Sequence, residues 1–472
     1  MAAGKTAETR SVDVVIMAAG KGTRMKSKLP KVLHCLAGRP LIRHVLDTAS
    51  GLGARSAVLV TGHGAEAVEA ACGAAGGLAL KLHFVRQQPQ LGTGHAVQQA
   101  VPVLPDDGVV VVLSGDVPLT EADTLRALIG LCDGSKLALL TLALDEPSGY
   151  GRIVRSANGA GQVVAIVEEK DASAAQRAIR EIYSGIMAAP AALLKGWLER
   201  LDNHNAQGEY YLTDIVKLAV ADGVEVLAQQ ISDPLQVAGV NSPLQLAELE
   251  RAWQLRQARQ FMEQGVRIAD PARFDVRGSL QCGQDVAIDV NCVFEGAVRL
   301  GDDVRVGAHC VIANATIAAG AVIHPFTHID GEKAGVRVGE GAVVGPFARL
   351  RPGAVLGENV HIGNFVEVKN ATLGAGAKAN HLAYLGDATV GQRVNFGAGS
   401  ITANYDGARK HRTVIEDDVH VGSNCVLVAP LTIGMGATVG GGSTISKSAP
   451  AGSLSVARAK QVVVSGWKRP IK

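Results

Sequence analysis

Aliphatic residues recur at a strict interval of six through part of the second half of the chain. Val338, Val344, Leu350, Leu356, Ile362 and Val368 form one run, and Ile415, Val421, Leu427, Ile433, Val439 and Ile445 form another after an irregular stretch. The position after an aliphatic is often glycine, as at Gly339, Gly345, Gly357, Gly363, Gly422 and Gly434. Neither the 3.6-residue period of an α-helix nor the two-residue alternation of a flat strand produces this pattern. A coil of short parallel strands does, with one aliphatic per hexad turned inward and small residues at the corners. The spacing therefore predicts a hexapeptide β-helix. A chance run in a glycine-rich segment would not give two phased ladders.

The first half carries a different pattern. Apolar runs at Val12–Ala19, Ala57–Val60, Val109–Leu113 and Leu137–Leu142 alternate with helix-like stretches such as Leu41–Ser50 and Glu121–Cys132. That alternation predicts a mostly parallel, Rossmann-like sheet covered by helices on both faces. Between the halves, Pro243 to Gln264 has helical spacing, strong helix formers and no internal Gly or Pro, and Pro271 helps mark its end. The expected organisation is an α/β domain over 1–242, a linker helix over 243–265 and a β-helix with a basic tail over 266–472.

Composition narrows the choice of partners. A length of 472 residues calls for two or three domains, and a hydrophobic share of 47% supports well-filled cores. The aromatic share of 4% suits a coil lined with Val, Ile, Leu and Ala. With a net charge of +2, nothing implies a nucleic-acid or membrane partner. The seven cysteines include no CxxC pair and are odd in number, which fits a reducing cytoplasm rather than a disulfide framework. The first ten residues are polar and the run Val12–Ala19 is too short for a signal or a span, so a cytoplasmic location is expected.

Candidate chemistry in the first half begins at Met17-Ala18-Ala19-Gly20-Lys21-Gly22-Thr23-Arg24-Met25, directly after the first apolar run. It is neither a Walker loop nor a dinucleotide fingerprint, since no GK[ST] is correctly placed and Met25 stands where a third Gly belongs. What remains is a glycine-rich turn at the carboxyl end of a strand, where backbone N–H groups can approach phosphate. Arg24 and Lys31 add cations. Asp116 follows the apolar run Val109–Leu113 and falls at the corresponding end of its strand, where an open α/β sheet binds ligands. Taken alone, Asp116 reads more readily as a turn or cap acid than as a metal ligand.

In the coil, Arg351 and Lys369 each follow a ladder aliphatic and stand eighteen positions apart. If three hexads close one turn, the two cations stack on adjacent coils about 4.8 Å apart. Like charges directly opposite are destabilising, so an anion such as phosphate belongs between them unless they splay into solvent. His381 lies where the ladder breaks, and Thr402 to Thr413 interrupts the hexads as a loop leaving the scaffold.

The glycine-rich string through Leu29-Pro30-Lys31 resembles the signature of the sugar-nucleotide pyrophosphorylases, which join a sugar 1-phosphate to a nucleoside triphosphate. Gln87 to His95 (QQPQLGTGH) resembles that family's base-reading loop, and Ser114-Gly115-Asp116 its metal motif. Gly149 to Arg152 and Glu168 match its sugar-binding stretch, and Val237 to Asn241 its second metal ligand. Together with the coil motifs, nearly the whole chain resembles the bacterial bifunctional N-acetylglucosamine-1-phosphate uridyltransferase/glucosamine-1-phosphate N-acetyltransferase family.

The resemblance implies two activities: acetyl transfer from acetyl-CoA to glucosamine 1-phosphate, then Mg²⁺-dependent uridylyl transfer from UTP with release of pyrophosphate. It implies UTP and sugar-nucleotide contacts at Met17, Ala18, Ala19, Gly20, Lys31, Gln87, Gly92, Thr93, Ser114, Gly115, Asp116, Gly151, Glu168 and Asn241. Asp116 and Asn241 would hold Mg²⁺, which needs few protein ligands beside phosphate and water. Arg24 and Lys31 would assist by neutralising charge. In the coil, His381 becomes the general base. Arg351, Lys369, Tyr384 and Asn395 become the glucosamine 1-phosphate contacts. Ala398, Asn404, Tyr405, Ser423, Gly441 and Arg458 become acetyl-CoA positions. It further implies a left-handed parallel β-helix and a homotrimer with sites built between neighbouring coils.

Two departures stand out. Tyr183 occupies a position where the family usually has Asn, and Gly441 one where it often has Ala. Two alternatives remain open to the sequence. One is a single-activity pyrophosphorylase with a structural or regulatory β-helix, as in ADP-glucose pyrophosphorylases, which predicts no catalytic set in the coil. The other is a non-enzymatic assembly protein resembling certain translation-factor exchange subunits, which predicts loss of the glycine-rich loop and Asp116.

Overall fold

The computed structural model describes residues 11–73, 80–156 and 161–471. Residues 1–10, whose polarity underlies the expectation of no leader, lie outside the described residues. The chain divides into two compact units, Met1–Ala252 and Trp253–Lys472.

The first unit is built on strands β1 (Val12–Ala18), β2 (Ser56–Thr61), β3 (Lys81–Arg86), β4 (Val109–Ser114), β5 (Leu137–Ala143), β6 (Glu181–Pro190) and β7 (Val226–Ile231), in the order β7-β5-β6-β4-β1-β2-β3. Neighbours pair in parallel except β6, which runs antiparallel to both β4 and β5. Alternate residues of the central strands enter two separate cores. Val15, Val58, Val60, Val110 and Val112 face one, while Val14, Ile16, Ala57, Leu59, Val109 and Val111 face the other. Burial on both faces explains why these strands read as unbroken apolar runs. The helices Leu41–Gly51 and Ala122–Cys132 cover one face, and Thr93–Gln98, Ala191–Glu199 and Ile215–Ala221 the other. Because β1 and β4 are parallel neighbours with Met17 opposite Ser114, their carboxyl ends deliver the glycine-rich turn and Asp116 side by side.

The second unit is a parallel β-helix. Consecutive ladder residues take different faces: Val344 stacks on Ile362, Leu350 on Val368 and Leu356 on Leu373. The coil starts far upstream of the ladder, at Arg267–Ile268, and one continuous inward column runs through Ile288, Val306, Ile323, Val344, Ile362, Ala379, Phe396, Val421 and Val439. The irregular stretch is also coil. Pairing steps by 18 residues from Val344 to Ile362, by 17 from Ile362 to Ala379, and by 25 from Val390 to Ile415. The ladder therefore slips phase near His381 rather than breaking there. The glycines after the aliphatics are steric: a Cβ on Gly339 would come within 2.4 Å of the Gly357 carbonyl oxygen one turn on.

The connecting helix runs from Pro243 to Glu263. Within the first unit, its Glu250 carboxylate accepts from the Ala37 N–H at 2.6 Å. Within the second, Gln254 is buried and bonds the Val276 backbone twice, at 2.9 and 2.8 Å, while Ala258 joins the coil core. No helix among the described residues is long and apolar enough to cross a membrane.

Candidate active sites

In the first unit a cavity of about 420 Å³ opens where β1 and β4 end. Met17, Ala18, Ala19, Gly20, Lys31, Gln87, Gly92, Thr93, Ser114 and Asp116, all singled out by sequence, line it. At its polar end Lys31 Nζ forms an ion pair with Asp116 and donates to Asn241 Oδ1 at 3.0 Å, while Ser114 Oγ donates to Asp116 Oδ1 at 2.6 Å. The Val240 N–H donates to the Asp116 carbonyl at 2.9 Å and so brings Asn241 beside a residue far from it in sequence. A Cβ on Gly20 would meet nothing within 4 Å, so its bareness leaves space open rather than fitting the protein.

The loop Gln87–His95 is clamped against residues 209–212. Gly94 N–H donates to the Tyr210 carbonyl at 2.7 Å, and Leu212 N–H to Thr93 Oγ1 at 3.1 Å. Gly92 has φ +109°, and a Cβ there would lie 2.6 Å from the Tyr210 carbonyl oxygen. This contact exposes a residue the sequence reading missed: Glu209 also lines the cavity, as do Gln90 and Lys21. Its signal was the loop's need for a backbone partner, which sequence spacing does not name.

Gly151 and Glu168 meet each other, since a Cβ on Gly151 would sit 3.6 Å from the Glu168 carboxylate. Thr213 Oγ1 donates to Glu168 at 3.0 Å. Burial pushes the Glu168 carboxyl above its usual range, only partly offset by the Thr213 bond. The Tyr183 N–H donates to the Gly151 carbonyl at 2.8 Å, and its hydroxyl is buried without a hydrogen-bond partner. Arg24 is exposed on the short helix Thr23–Met25 and does not line the cavity, nor do Gly115, Gly151, Glu168 and Asn241.

In the coil, Arg351 and Lys369 fall on adjacent turns, tied by the Arg351 N–H to the Val368 carbonyl at 2.8 Å. Arg351 is partnered by Glu367 at 2.8 Å, which holds its guanidinium above the usual range. Lys369 is pulled down by Lys410 first, then by burial and Arg351. Lys410 is a third cation that the sequence reading did not single out. It arrives through the 404–412 loop, whose Tyr405 and Lys410 form an antiparallel bridge. Thr402, counted with the loop from sequence, is instead buried in the coil opposite Leu427. The loop is held by buried Asp387, which accepts from Asn404 and, at 2.6 Å, from Asn370.

His381 is exposed, and its Nδ1 meets Asn364 Oδ1 at 2.7 Å. An amide oxygen only accepts, so the ring hydrogen sits on Nδ1 and Nε2 is left as a bare acceptor. That tautomer can take a proton, and Asn364, missed in the sequence, selects it. Tyr384 folds over Gly386 and feels Arg351. Asn395 lies on another face of the coil, its amide 3.3 Å from His420 Nδ1. Of the expected acetyl-CoA positions, Ala398, Ser423, Gly441 and Arg458 form a column, whereas Asn404 and Tyr405 lie on the 404–412 loop. Asn424 N–H donates to the Ala398 carbonyl, Gly442 N–H to the Ser423 carbonyl, and Arg458 Nη1 to the Gly441 carbonyl, each at 2.8 Å.

The fold and these two residue sets define a two-part transferase. A nucleotide-handling α/β unit precedes a hexapeptide acyltransferase-type coil. Residues 14–266 match the model of the MobA-like NTP transferase domain, and residues 335–370 and 412–447 match the bacterial transferase hexapeptide repeats. The chain is 73% identical over 472 residues to the bifunctional protein GlmU of Polaromonas sp., with 98% of each chain covered. It is 74% identical over 466 residues to that of Polaromonas naphthalenivorans, with the same coverage, and 55% identical over 461 residues to that of Herminiimonas arsenicoxydans. The chain belongs to the bifunctional GlmU family and is a bifunctional transferase with a nucleotidyltransferase and a hexapeptide acetyltransferase part. It acts on small molecules, and family membership implies that its nucleotidyl transfer depends on a metal.

Proposed function

We propose that the chain makes UDP-N-acetylglucosamine in two steps. Residues 266–472 transfer acetyl from acetyl-CoA to glucosamine 1-phosphate, and residues 1–242 transfer uridylyl from UTP to the N-acetylated product, with helix 243–265 as the link. The observation that carries the reading of the first unit is the Asp116–Lys31–Asn241 contact. Two oxygens of different origin already share one cation, the Lys31 ammonium. A carboxylate and an amide oxygen are hard donors of the kind Mg²⁺ takes, and no cluster of three or more acidic, His or Cys ligands exists among the described residues. Asp116 and Asn241 thus fit a magnesium ion, which would neutralise phosphate charge when bound. With the ion bound, the Lys31 ammonium would be free to pair with the phosphates. The sugar phosphate oxygen attacks the α-phosphorus and pyrophosphate leaves in line, so the protein's part is positioning.

In the coil, Arg351, Lys369 and Lys410 hold the phosphate of glucosamine 1-phosphate. His381 Nε2 accepts the proton as the amine nitrogen attacks the thioester carbonyl, and coenzyme A leaves as thiolate. Asn395 lies on a different face of the coil from Lys369, which supports a homotrimer in which a neighbouring copy completes each site. A stacked, exposed column of His309, Phe326, Phe347 and Phe365 offers the apolar surface such an assembly would cover. The cysteines are all free, as a cytoplasmic enzyme's would be. One assay tests the whole: glucosamine 1-phosphate, acetyl-CoA, UTP and Mg²⁺ should yield UDP-N-acetylglucosamine. Omitting acetyl-CoA should abolish it, and UDP-glucosamine accumulating without acetyl-CoA would overturn the order of steps.

A further inference from the structure

Gln87 is 4% exposed, yet its side chain lines the cavity of the first unit. Its amide nitrogen donates to the Gly92 carbonyl at 2.9 Å and stands 3.2 Å from His95 Nδ1. A primary amide has two N–H groups and one carbonyl. The Gly92 bond fixes which end is nitrogen, because a carbonyl oxygen cannot donate. The second N–H is taken by His95 when the imidazole carries its hydrogen on Nε2 and leaves Nδ1 as acceptor. Both donors are then spent inside the protein, and Oε1 is the group left for a ligand.

His95 is itself held. It sits on the helix Thr93–Gln98 beside the Tyr210 ring, with centroids 6.2 Å apart, and the flanking Gly94 N–H is fixed to the Tyr210 carbonyl. Gln99 Nε2 donates to the His95 carbonyl at 3.0 Å. These bonds fix the backbone from which the ring reaches Gln87. A flipped amide would set its oxygen against two acceptors, Gly92 O and His95 Nδ1.

We propose that His95 is a positioning residue for base selection. With Gly92 it locks the Gln87 amide so that an acceptor faces the cavity, and the unit prefers a pyrimidine that presents N3–H, as uracil does, over cytosine, whose N3 is an acceptor. The inference rests on the uridylyl-transfer reading and names the determinant of its base preference.

The test compares kcat/KM for UTP and CTP, with N-acetylglucosamine 1-phosphate and Mg²⁺, in the full chain and three variants. His95→Phe keeps a ring beside Tyr210 and removes the acceptor. His95→Leu removes both, and His95→Asn keeps an acceptor near the Nδ1 position. The UTP-over-CTP ratio should fall about five-fold in His95→Phe and His95→Leu, the worth of one neutral hydrogen bond. It should stay within about two-fold of wild type in His95→Asn. Equal losses for both nucleotides, with the ratio unchanged in whichever variant folds, would make His95 merely structural and overturn the proposal. A wild-type chain that transfers neither nucleotide would instead sink the uridylyl-transfer reading.

Discussion

Asp116 shows how much one side chain can be asked to do. Its two oxygens take a hydroxyl from Ser114 and an ammonium from Lys31, and its backbone fixes Asn241. Asp116→Ala should abolish uridylyl transfer and leave acetyl transfer near wild type, as separate assays of each step would show. His381→Ala should lower acetyl-transfer turnover by about 10²–10⁴-fold with little change in the Michaelis constants. Loss of affinity at unchanged turnover would instead mark His381 as a binding residue. Glu168 yields a pH prediction. Burial raises its carboxyl above the ordinary carboxylate range, so ionisation costs stability above the folded pKa, and the cost vanishes below the ordinary one. Glu168→Gln should therefore raise the unfolding temperature at neutral pH but not near pH 4, about the ordinary carboxylate value. Residues with a chemical identity and a fixed neighbour in sequence were legible from the chain alone. Lys410, Asn364 and Glu209 were not, because each acts through a partner supplied by another turn or strand.

Among elements, the loop over 404–412 depends on a residue outside it. Asp387 is buried, and its carboxylate holds Asn404 and Asn370. Asp387→Ala would leave both amides without that acceptor, at about 1–3 kcal/mol for an unsatisfied buried group. The expected result is faster proteolysis within the loop and weaker acetyl transfer, with uridylyl transfer unchanged. Lys369 and Lys410 crowd like charges at the loop's base, so inorganic phosphate should raise the unfolding temperature of the chain, and less so in Lys369→Ala. The ladder in the sequence disclosed the coil only where the step is an even 18 residues. Upstream, the inward column advances by 20, 18, 17 and 21 residues from Ile268 to Val344, so no hexad ladder shows there, although the β-helix is expected from residue 266. Strand pairing tolerates such steps because the extra residues go into corners, while the inward aliphatics stay in register.

For the molecule as a whole, the two chemistries lie in separate units, so they should part on cleavage of the connecting helix. A fragment ending near Ala252 should keep uridylyl transfer, and one starting near Trp253, which retains Gln254 and Ala258 on the coil, should keep acetyl transfer if it still assembles. A well-folded N-terminal fragment without uridylyl transfer would contradict that division. The coil's regular pairing has a further consequence for how it comes apart. Each turn touches only the turns before and after it, so resistance to unfolding accumulates link by link, as in a zipper. Damage at the free end, such as Val439→Ala, should let the last turns fray while those bearing Arg351 and Lys369 stay closed. The same kind of truncation at Leu350, costing about 2–5 kcal/mol, severs the row in its middle and should open both sides at once. Hydrogen exchange read turn by turn would then show a gradient for the first variant and a gap for the second.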